Sequence, residues 1–384
     1  MKKLLIGLIS LLVIAAVIFF GFVANHFDKK MNSVVATASS TPVPSYEAIP
    51  FVADLHCDML LWNRNFFGLH KHGHVDLPRM QQAKMALQVF TIVSKVPKGI
   101  NIERNDDKTD QIALLSFAQM RPPSTWFSLK SRALHQCNQL HAFAKESDGA
   151  FRVVTNRREL NDFIKDRKSN NKVTAGMLGL EGAHCLEDDV ENLQVFYDAG
   201  VRYIGLTHFF DNEWGGSAHG ITKEGLTENG KKLVKAMEEM NMIIDLAHAS
   251  THVIDDVFSI TKKPVIVSHT GVKGACNNQR NLSDKHLIEI GRRNGLVGIG
   301  LWETAVCGTG ADATARSIRY VADKIGVDKV ALGSDFDGAI KAHFDVTGLP
   351  LLVTALQKQG FNQKEVDQIM GGNIRDFMLR NLPE

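Results

Sequence analysis

The chain has 384 residues, of which 44% are hydrophobic and 22% are charged, so it can bury a large core and is not a disordered protein. Its formal net charge is only +2, and residues 1–50 account for all of it, with four lysines against Asp28 and Glu47. The neutral remainder gives no support to nucleic-acid binding, which requires an excess of Lys and Arg. The five cysteines lack a CxxC spacing, which argues against a disulfide-built scaffold and against a thiolate zinc knuckle.

The first fifty residues predict an export or anchoring segment followed by a linker. An apolar run from Leu4 to Ala24 is about as long, at roughly 1.5 Å per helical residue, as the hydrocarbon core of a bilayer is thick. We therefore interpret residues 1–30 as a signal anchor or a signal peptide. Ala36-Thr37-Ala38 has a signal-peptidase pattern but lies far beyond the apolar run, which favours a retained anchor. Residues 31–50, rich in Ser, Thr, Ala and Pro, predict a flexible linker.

From residue 51 onward, short β-rich apolar runs alternate with helical patterns. The runs lack regular polar alternation, as expected of parallel strands buried on both faces. They span residues 51–56, 87–93, 173–181, 201–208, 242–248, 264–269, 295–302 and 329–335. The helical patterns include residues 110–119, 129–145, 187–199, 227–240, 283–293 and 311–325.

Eight strands with intervening helices predict an α/β fold, a (β/α)8 barrel of the TIM type, over residues 51–384. A doubly wound open sheet is the competing fold, but no GxGxxG motif follows a strand. We interpret the long connection 94–172 as an elaborated second βα unit.

Histidine and carboxylate side chains follow six of the eight runs. They are His56 with Asp58, Glu181, His208, His248, His269 and Asp335. The carboxyl ends of barrel strands converge on one mouth, where active sites are built. We therefore expect these residues, far apart in sequence, to form one cluster. Singly, each has an ordinary structural explanation, a hydrogen-bonded histidine or a helix cap.

This set of side chains predicts a metal centre. Imidazole and carboxylate ligands suit zinc, and a carboxylate such as Glu181 can bridge two ions. His56 and Asp58 occupy alternate positions at one strand end, while His248 and His269 come from two later strands. Two ions roughly 3.5–4 Å apart lower the pKa of a water held between them toward about 7, which predicts a hydrolase.

Other residues are candidates for catalysis and substrate binding. Asp335 in GSDFDG (333–338) is a carboxylate outside the ligand set, suited to moving a proton. Asp337 is expected to be a turn or cap residue. His208 is suited to stabilising an oxyanion, or is a structural histidine. Arg280 is suited to holding a substrate carboxylate, or lies on the surface.

Two further features have the residue types of metal ligands but are not expected to bind metal. His70, His72 and His74 alternate, and we expect a solvated loop rather than a chelating site. Cys57 lies between two predicted ligands, but its side chain should point to the opposite face of the strand, so we do not expect it to bind metal.

The ordered motifs of the chain resemble those of the membrane dipeptidase family, also called renal dipeptidases, within the amidohydrolase superfamily. The matching segments are DLHCD (54–58), GLEG (179–182), GLTH (205–208), IDLAH (244–248), VSHT (267–270) and GSDFDG (333–338), together with HVDLPRM (74–80) and GGNIRDFM (371–378). The resemblance covers about residues 51–380. Leu55 stands where family members commonly have Gly, and residues 94–147 match little, which leaves substrate preference open.

The resemblance implies a barrel with two zinc ions (Zn2+) that hydrolyses dipeptides and often accepts a D-residue at the carboxyl side. It implies that one zinc is bound by His56 and Asp58, the other by His248 and His269, with Glu181 bridging. It further implies that His208 and Arg280 bind the substrate and that Asp335 handles the proton. A disulfide between Cys276 and Cys307, in an exported domain, and a homodimer also fit the family.

The leading hypothesis is a zinc dipeptidase anchored to a membrane, with its catalytic domain outside the cytoplasm, or secreted if the signal is cleaved. A second hypothesis keeps the barrel and the metals but assigns N-acyl amino acids or lactones as substrates, for which Arg280 would matter less. A third is a non-catalytic binding protein displayed on the membrane, which predicts a missing ligand or acid/base residue. None is missing from the sequence.

Overall fold

Eight parallel strands of this protein form a barrel in the computed structural model, which describes residues 5–6, 10–11, 17–36 and 43–384. The strands are β1 (Ser33–Val34), β2 (Val52–Cys57), β3 (Met85–Ile92), β4 (Phe151–Val153), β5 (Thr174–Leu180), β6 (Val201–Gly205), β7 (Ile243–Asp245), β8 (Ile266–Thr270), β9 (Leu296–Ile299), β10 (Val330–Leu332) and β11 (Lys341–Ala342). The α-helices are Ala24–Met31, Pro44–Glu47, Leu77–Gln82, Gln111–Ala118, Ser124–Phe127, Leu129–Glu146, Arg157–Arg167, Asn192–Asp198, Glu228–Glu239, Thr251–Ile260, Asp284–Arg292, Glu303–Val306, Ala311–Ile325, Leu349–Lys358, Gln363–Asp367 and Asn373–Asn381.

The barrel strands pair in the order β2-β3-β5-β6-β7-β8-β9-β10, and every pair is parallel. β2 and β10 come together through a parallel bridge between Cys57 and Phe336, where the N–H of Asp58 donates to the carbonyl of Phe336 at 2.8 Å. β4 pairs with β5 outside this circuit. Each of the eight predicted runs overlaps one barrel strand, so the predicted (β/α)8 barrel is confirmed.

The predicted helices are also present, and capping residues set where several of them begin. The side-chain oxygens of Thr227 and Ser283 accept hydrogen bonds from N–H groups in the first turns of their helices. The helix predicted from residue 187 begins only at Asn192, because Glu187 and Asp188 have left-handed backbones, with φ of 52° and 59°.

Apolar side chains fill the barrel toward the amino ends of its strands. Ile243, Ile266 and Leu296 are each the first residue of a strand and belong to one buried cluster. The C-terminal helix Asn373–Asn381 adds Phe377 to the same cluster. This end of the barrel is therefore a packed core, which leaves the opposite end for a polar site.

No helix among the described residues is both long enough and apolar enough to cross a bilayer. Much of the predicted apolar run Leu4–Ala24 lies outside the described residues, as do Thr37 and Ala38 of the predicted cleavage pattern. Within the described part, the ring of Phe20 packs against that of Phe117, with centroids 5.3 Å apart.

The described parts of the predicted linker, residues 31–50, lie against the barrel rather than apart from it. β1 pairs in parallel with β11. Tyr46 is buried and donates a hydrogen bond from its hydroxyl to the carbonyl of Ala83. A composition rich in Ser, Thr, Ala and Pro predicts a linker, but it carries no information about backbone pairing with a distant strand.

Candidate active site

The carboxylate of Glu181 lies at the centre of a cluster of imidazoles at the barrel mouth. Its Oε1 atom lies 3.4 Å from Nε2 of His56, 3.1 Å from Nε2 of His248 and 3.4 Å from Nε2 of His269. Its Oε2 atom lies 3.3 Å from Nε2 of His208. All five side chains are buried. Five residues from five strand ends are thus brought together, as the sequence predicts.

Two further carboxylates complete the cluster on the side of His56. The Nε2 atom of His56 lies 3.5 Å from Oδ1 of Asp58 and 3.9 Å from Oδ1 of Asp335. Asp335 has a left-handed backbone, with φ of 60°. A side chain at Gly338 would collide with the Asp335 carboxylate, so the loop can approach Asp335 this closely only with glycine there.

A hydroxyl group orients two of the imidazoles. Oγ of Ser268 lies 3.2 Å from Nδ1 of His56 and 3.0 Å from Nδ1 of His269. A hydroxyl oxygen has two lone pairs and can accept both Nδ1–H groups, and in the neutral form of each ring the Nε2 atom then carries the lone pair that can bind a metal ion. Nε2 of His269 is also only 2.9 Å from Nε2 of His248. Two imidazole nitrogens this close need a proton or a metal ion between their lone pairs.

The residues of the mouth therefore fit a metal centre. Nε2 of His56 is buried and has no hydrogen-bond partner among the described residues. Within the described ranges, three groups of side chains have ligand atoms within 4.8 Å of one another: His56, Glu181 and His269; Glu181, His208 and His248; and His56, Asp58 and Asp335. Glu181 belongs to two of these groups, which is consistent with a shared ligand. Imidazole and carboxylate donors are those that zinc prefers.

Burial sets the charges of the carboxylates. Burial, with Asp58 close by, raises the pKa of Glu181 to about 7. Burial likewise raises the pKa of Asp335 well above its ordinary value, although His56 acts in the opposite direction. Three carboxylates share one buried site, and a cation is what allows all of them to ionise together.

The imidazoles and the nearby guanidinium are not all affected in the same way. Burial disfavours the charged form of His56, but the carboxylates of Glu181 and Asp58 raise its pKa well above the ordinary value. Burial, together with neighbouring cationic groups such as Arg280, lowers the pKa of His208, His248 and His269 well below the ordinary value. These imidazoles are therefore neutral, the form that binds metal. Burial lowers the pKa of Arg280 to about 10, so this side chain is still a cation at neutral pH.

Arg280 lies at the mouth, beside the ligand cluster, and not on the outer surface, which is one of the two alternatives that its sequence leaves open. Its Nη2 atom donates to the carbonyl of His269 at 2.8 Å, and Nη1 lies 3.4 Å from Oγ1 of Thr270. The side chain is thereby fixed next to a predicted metal ligand rather than extended into solvent. The remaining N–H groups of the guanidinium are available for an anionic ligand.

Four residues that support the cluster are not among those predicted from the sequence. The hydroxyl of Thr91 donates to Oδ1 of Asp58, and Ser268 orients two imidazoles as described. Asp54 accepts hydrogen bonds from the N–H and the hydroxyl of Ser334, and Asp245 accepts one from the N–H of Ser268 at 2.9 Å. Asp54, Asp245 and Ser268 stand inside motifs already identified, DLHCD, IDLAH and VSHT, which is the signal that could have found them.

The poorly matching segment after β3 reaches the edge of the site. The ring of His219 lies 5.1 Å from that of His248, and its Nδ1 atom donates to the carbonyl of Ile102 at 2.8 Å. The same carbonyl accepts a hydrogen bond from the side chain of Gln279, next to Arg280 in sequence. The loop around Ile102 is therefore fixed beside the mouth, where it can contact a substrate.

One of the three histidines near residue 72 does not lie in the solvated loop that the sequence predicts. His74 is completely buried: its Nδ1 atom accepts from the N–H of Asp337 at 2.8 Å, and its Nε2 atom donates to the carbonyl of Ser33 at 3.0 Å. That prediction is wrong for His74, because a partner from the N-terminal segment covers it. Asp337 lies in a turn, one of the two roles expected for it, and its carboxylate accepts hydrogen bonds from the N–H groups of His74 and Val75; the residue that caps the helix Leu77–Gln82 is Asp76.

The cysteines agree with expectation. Cys276 and Cys307 form a disulfide. Cys57 is buried within an apolar cluster, and none of the three ligand groups in the described part of the chain contains a cysteine.

A parallel eight-stranded barrel with a buried set of imidazoles and carboxylates at the carboxyl ends of its strands defines a class of proteins, the metal-dependent hydrolases built on barrels. Residues 47–379 match the membrane dipeptidase family (peptidase family M19), and the chain belongs to it. The protein is therefore a membrane-dipeptidase-like metallohydrolase, and its reaction class is the hydrolysis of dipeptides.

Individual relatives and solved structures agree with the family. Dipeptidase aclJ from Aspergillus oryzae is 28% identical, over 84% of this chain and 76% of the relative. An uncharacterized dipeptidase, C965.12, from Schizosaccharomyces pombe is 30% identical, over 79% of this chain and 71% of the relative. The crystal structure of the M19 metallopeptidase "dipeptidase AC" has a TM-score of 0.73 at 25% identity and covers 87% of this chain and 99% of its own. A Rhodobacter sphaeroides metallopeptidase, liganded with a phosphinate mimic of L-Ala-D-Ala, shares the fold, with a TM-score of 0.70 at 24% identity and coverage of 86% of this chain and 99% of its own.

Proposed function

We propose that this chain hydrolyses dipeptides with two zinc ions held at the barrel mouth. The observation that carries the proposal is the position of Glu181, whose carboxylate lies within 3.1–3.4 Å of four imidazoles. His56 and Asp58 would hold one ion, His248 and His269 the other, and Glu181 would be shared by both. When bound, the ions would lower the pKa of a water molecule and polarise the peptide carbonyl.

Arg280 would bind the carboxyl terminus of the dipeptide. It is cationic at neutral pH, and its bond to the carbonyl of His269 fixes it next to the ligand cluster. A guanidinium can bind a carboxylate through two parallel hydrogen bonds, which orients the substrate as well as attracting it. This arrangement favours short substrates with a free carboxyl group.

His208 and Asp335 would act on the reacting groups. Neutral His208 is suited to donating a hydrogen bond to the carbonyl oxygen as negative charge develops there. Asp335, whose Oδ1 atom is 3.9 Å from His56, would take a proton from the attacking water and return it to the departing amine. The chain thus supplies a group for the carboxylate, one for the oxyanion and one for the proton.

The test is an assay of the purified full-length chain against L,L and L,D dipeptides, N-acyl amino acids and lactones, combined with measurement of bound metal. We expect dipeptides to be hydrolysed, two zinc ions per chain, and loss of activity with chelator. The assays with L,D dipeptides test whether a D-residue is accepted at the carboxyl side, which we propose from the family resemblance. Full activity after complete metal removal would contradict the mechanism.

Arg280→Ala separates a dipeptidase from an enzyme for neutral substrates. Loss of a hydrogen bond to a charged group should raise KM for dipeptides by about 10- to 100-fold. KM for a lactone should not change. Arg292→Ala is the matched control, because Arg292 is an exposed residue whose ion pair is with Glu289 on the same helix. Equal KM values for dipeptides in wild type and Arg280→Ala would argue against this role.

We further propose that the catalytic domain lies outside the cytoplasm, anchored by the apolar run at residues 4–24 or secreted if that run is removed. The disulfide between Cys276 and Cys307 supports this, because disulfides persist in oxidising compartments. Leu114, Met120 and Phe127 are exposed on the segment that packs against the N-terminal helix, a surface suited to lie near lipid. Carbonate extraction of membranes and protease protection test the location.

Sedimentation of the detergent-purified chain tests the homodimer that fits the family.

A further inference from the structure

The N-terminal segment from Asp28 to Ala36, called here the strap, is bound to the loop that follows β10. Ser33 and Val34 of the strap pair in parallel with Lys341 and Ala342. The N–H of Val35 donates to the carbonyl of Ala342 at 2.9 Å, and the N–H of Ala36 donates to the carbonyl of His343 at 3.0 Å. The loop that begins at Gly333 and reaches these residues also carries Asp335. The strap therefore lies along the loop that presents the proposed proton carrier.

A buried ion network connects the strap to the same loop. Nε of Arg64 lies 3.0 Å from Oδ2 of Asp28, and its Nη2 lies 2.7 Å from Oδ1 of Asp337. All three side chains are buried. A buried charge without its partner is strongly unfavourable, so Arg64 needs both carboxylates in place. Asp28 thus takes part in holding Asp337, two residues beyond Asp335.

A second contact lies further along the loop. Nδ2 of Asn32 donates to Oδ1 of Asp28 at 2.8 Å, and Oδ1 of Asn32 accepts from the N–H of Ala339 at 2.9 Å. Both polar atoms of this buried amide are satisfied, one within the strap and one by the loop. Asn32 is therefore a direct side-chain link between the strap and the part of the loop nearest to Asp335.

The loop requires such contacts because its backbone is unfavourable. Asp335, Asp337 and Ala339 all have positive φ, of 60°, 62° and 58°. Residues other than glycine adopt this conformation only where the surrounding structure holds them in it. Trp62, which donates to the carbonyl of Asp337 at 2.6 Å, holds the loop from the barrel side, and the strap holds it from the other.

We propose that the strap is a positioning element of the active site: Asn32 directly, and Asp28 through Arg64, keep the loop in the conformation that places Asp335 beside His56. The proposal rests on the proton-transfer role proposed for Asp335. It assigns a purpose in catalysis to residues that precede the barrel. It also implies that cleavage at Ala36-Thr37-Ala38 would separate these residues from the domain that they serve.

The test is Asn32→Ala in the full-length chain, measured in two backgrounds. In the wild-type background we expect kcat to fall by roughly 10- to 100-fold, because a misplaced catalytic group costs about this much, with KM and bound metal unchanged. In the Asp335→Asn background, Asn32→Ala should cause no further loss of kcat, because the group that the strap positions is already gone. Lys30→Ala is the matched control, an exposed strap residue that should leave kcat unchanged.

The outcomes separate this inference from the proposed function. If Asp335→Asn keeps the wild-type kcat, the role of Asp335 is wrong and the inference falls with it. If Asp335→Asn is impaired while Asn32→Ala is not, or if Asn32→Ala lowers kcat equally in both backgrounds, only the positioning role is wrong. Asp28→Asn, which keeps the side-chain volume and removes one charge of the ion network, is measured in the same way if Asn32→Ala does not fold.

Discussion

The two ends of the barrel strands differ in what they contribute. β8 begins with Ile266 in the apolar interior and carries His269 in the ligand cluster. In the same way, β7 begins with Ile243, and His248 follows three residues after the strand ends. At the amino ends, apolar side chains pack against one another. At the carboxyl ends, imidazoles and carboxylates are buried together, which is costly in the absence of a cation.

This difference teaches that stability and chemistry are separated along the same strands. The mouth is a region where the protein tolerates unfavourable electrostatics, as the raised pKa values of Glu181 and Asp335 indicate. The amino end supplies apolar burial that offsets this cost. Substitutions at the mouth should therefore affect activity more than stability, and substitutions at the amino end should do the reverse.

Glu181→Gln should have the largest effect on activity. Loss of the shared carboxylate should reduce kcat/KM by about 10³- to 10⁴-fold, because metal ions supply several kcal/mol of transition-state stabilisation. The metal-free variant should be at least as stable as metal-free wild type, since one of three mutually repelling carboxylates has been removed. Enzyme assays, metal analysis and calorimetry of the metal-free proteins measure this. A variant that binds two ions and keeps wild-type activity would contradict the view that residues at the mouth are needed for activity.

Ile266→Ala should have the opposite signature. Truncation of this fully buried side chain should lower the free energy of unfolding by about 2 to 5 kcal/mol, through lost apolar burial and a cavity. We expect kcat and bound metal to be unchanged below the melting transition. Ile288→Ala is the control, because Ile288 is 46% exposed on the helix Asp284–Arg292 and should change stability by only about 0.5 kcal/mol. Loss of kcat without loss of stability in Ile266→Ala would show that the two ends are not separate.

The sequence predicted the barrel and its ligand cluster because both depend on local patterns. Strands buried on both faces leave continuous apolar runs, and residues such as Glu181 and His269 stand at the ends of those runs. The strap could not be predicted in this way. Its contacts join Asp28 to Arg64 and Asn32 to Ala339, and no periodicity connects positions so far apart. His74 was misassigned for the same reason, since its partner, Ser33, belongs to the strap.

The supporting hydroxyls were missed for a related reason. The role of Ser268 depends on the distances from its oxygen to two ring nitrogens, and Thr91 contributes through a bond to Asp58 from a neighbouring strand. Serine and threonine are common in strands and loops, so their residue type alone indicates no role. Geometry, rather than composition, identifies them as part of the mouth.

Ser268→Ala should have the smallest effect of the three substitutions. It is the most informative about the two ends of the barrel strands, because Ser268 lies in β8 between Ile266 at the amino end and His269 in the ligand cluster. Removal of the acceptor for Nδ1 of His56 and of His269 frees both rings to rotate and to change tautomer, which should weaken metal affinity by about 10- to 100-fold. At saturating zinc, kcat should return to near the wild-type value, since no group that contacts the substrate is lost. Competition with a chelator measures the affinity. Ser317→Ala is the matched control: Ser317 lies on the helix Ala311–Ile325, and its buried hydroxyl has no hydrogen-bond partner in the part of the chain that the structure describes. Equal metal affinities for the two serine variants would show that Ser268 does not support metal binding and that it contributes only to the structure of its strand.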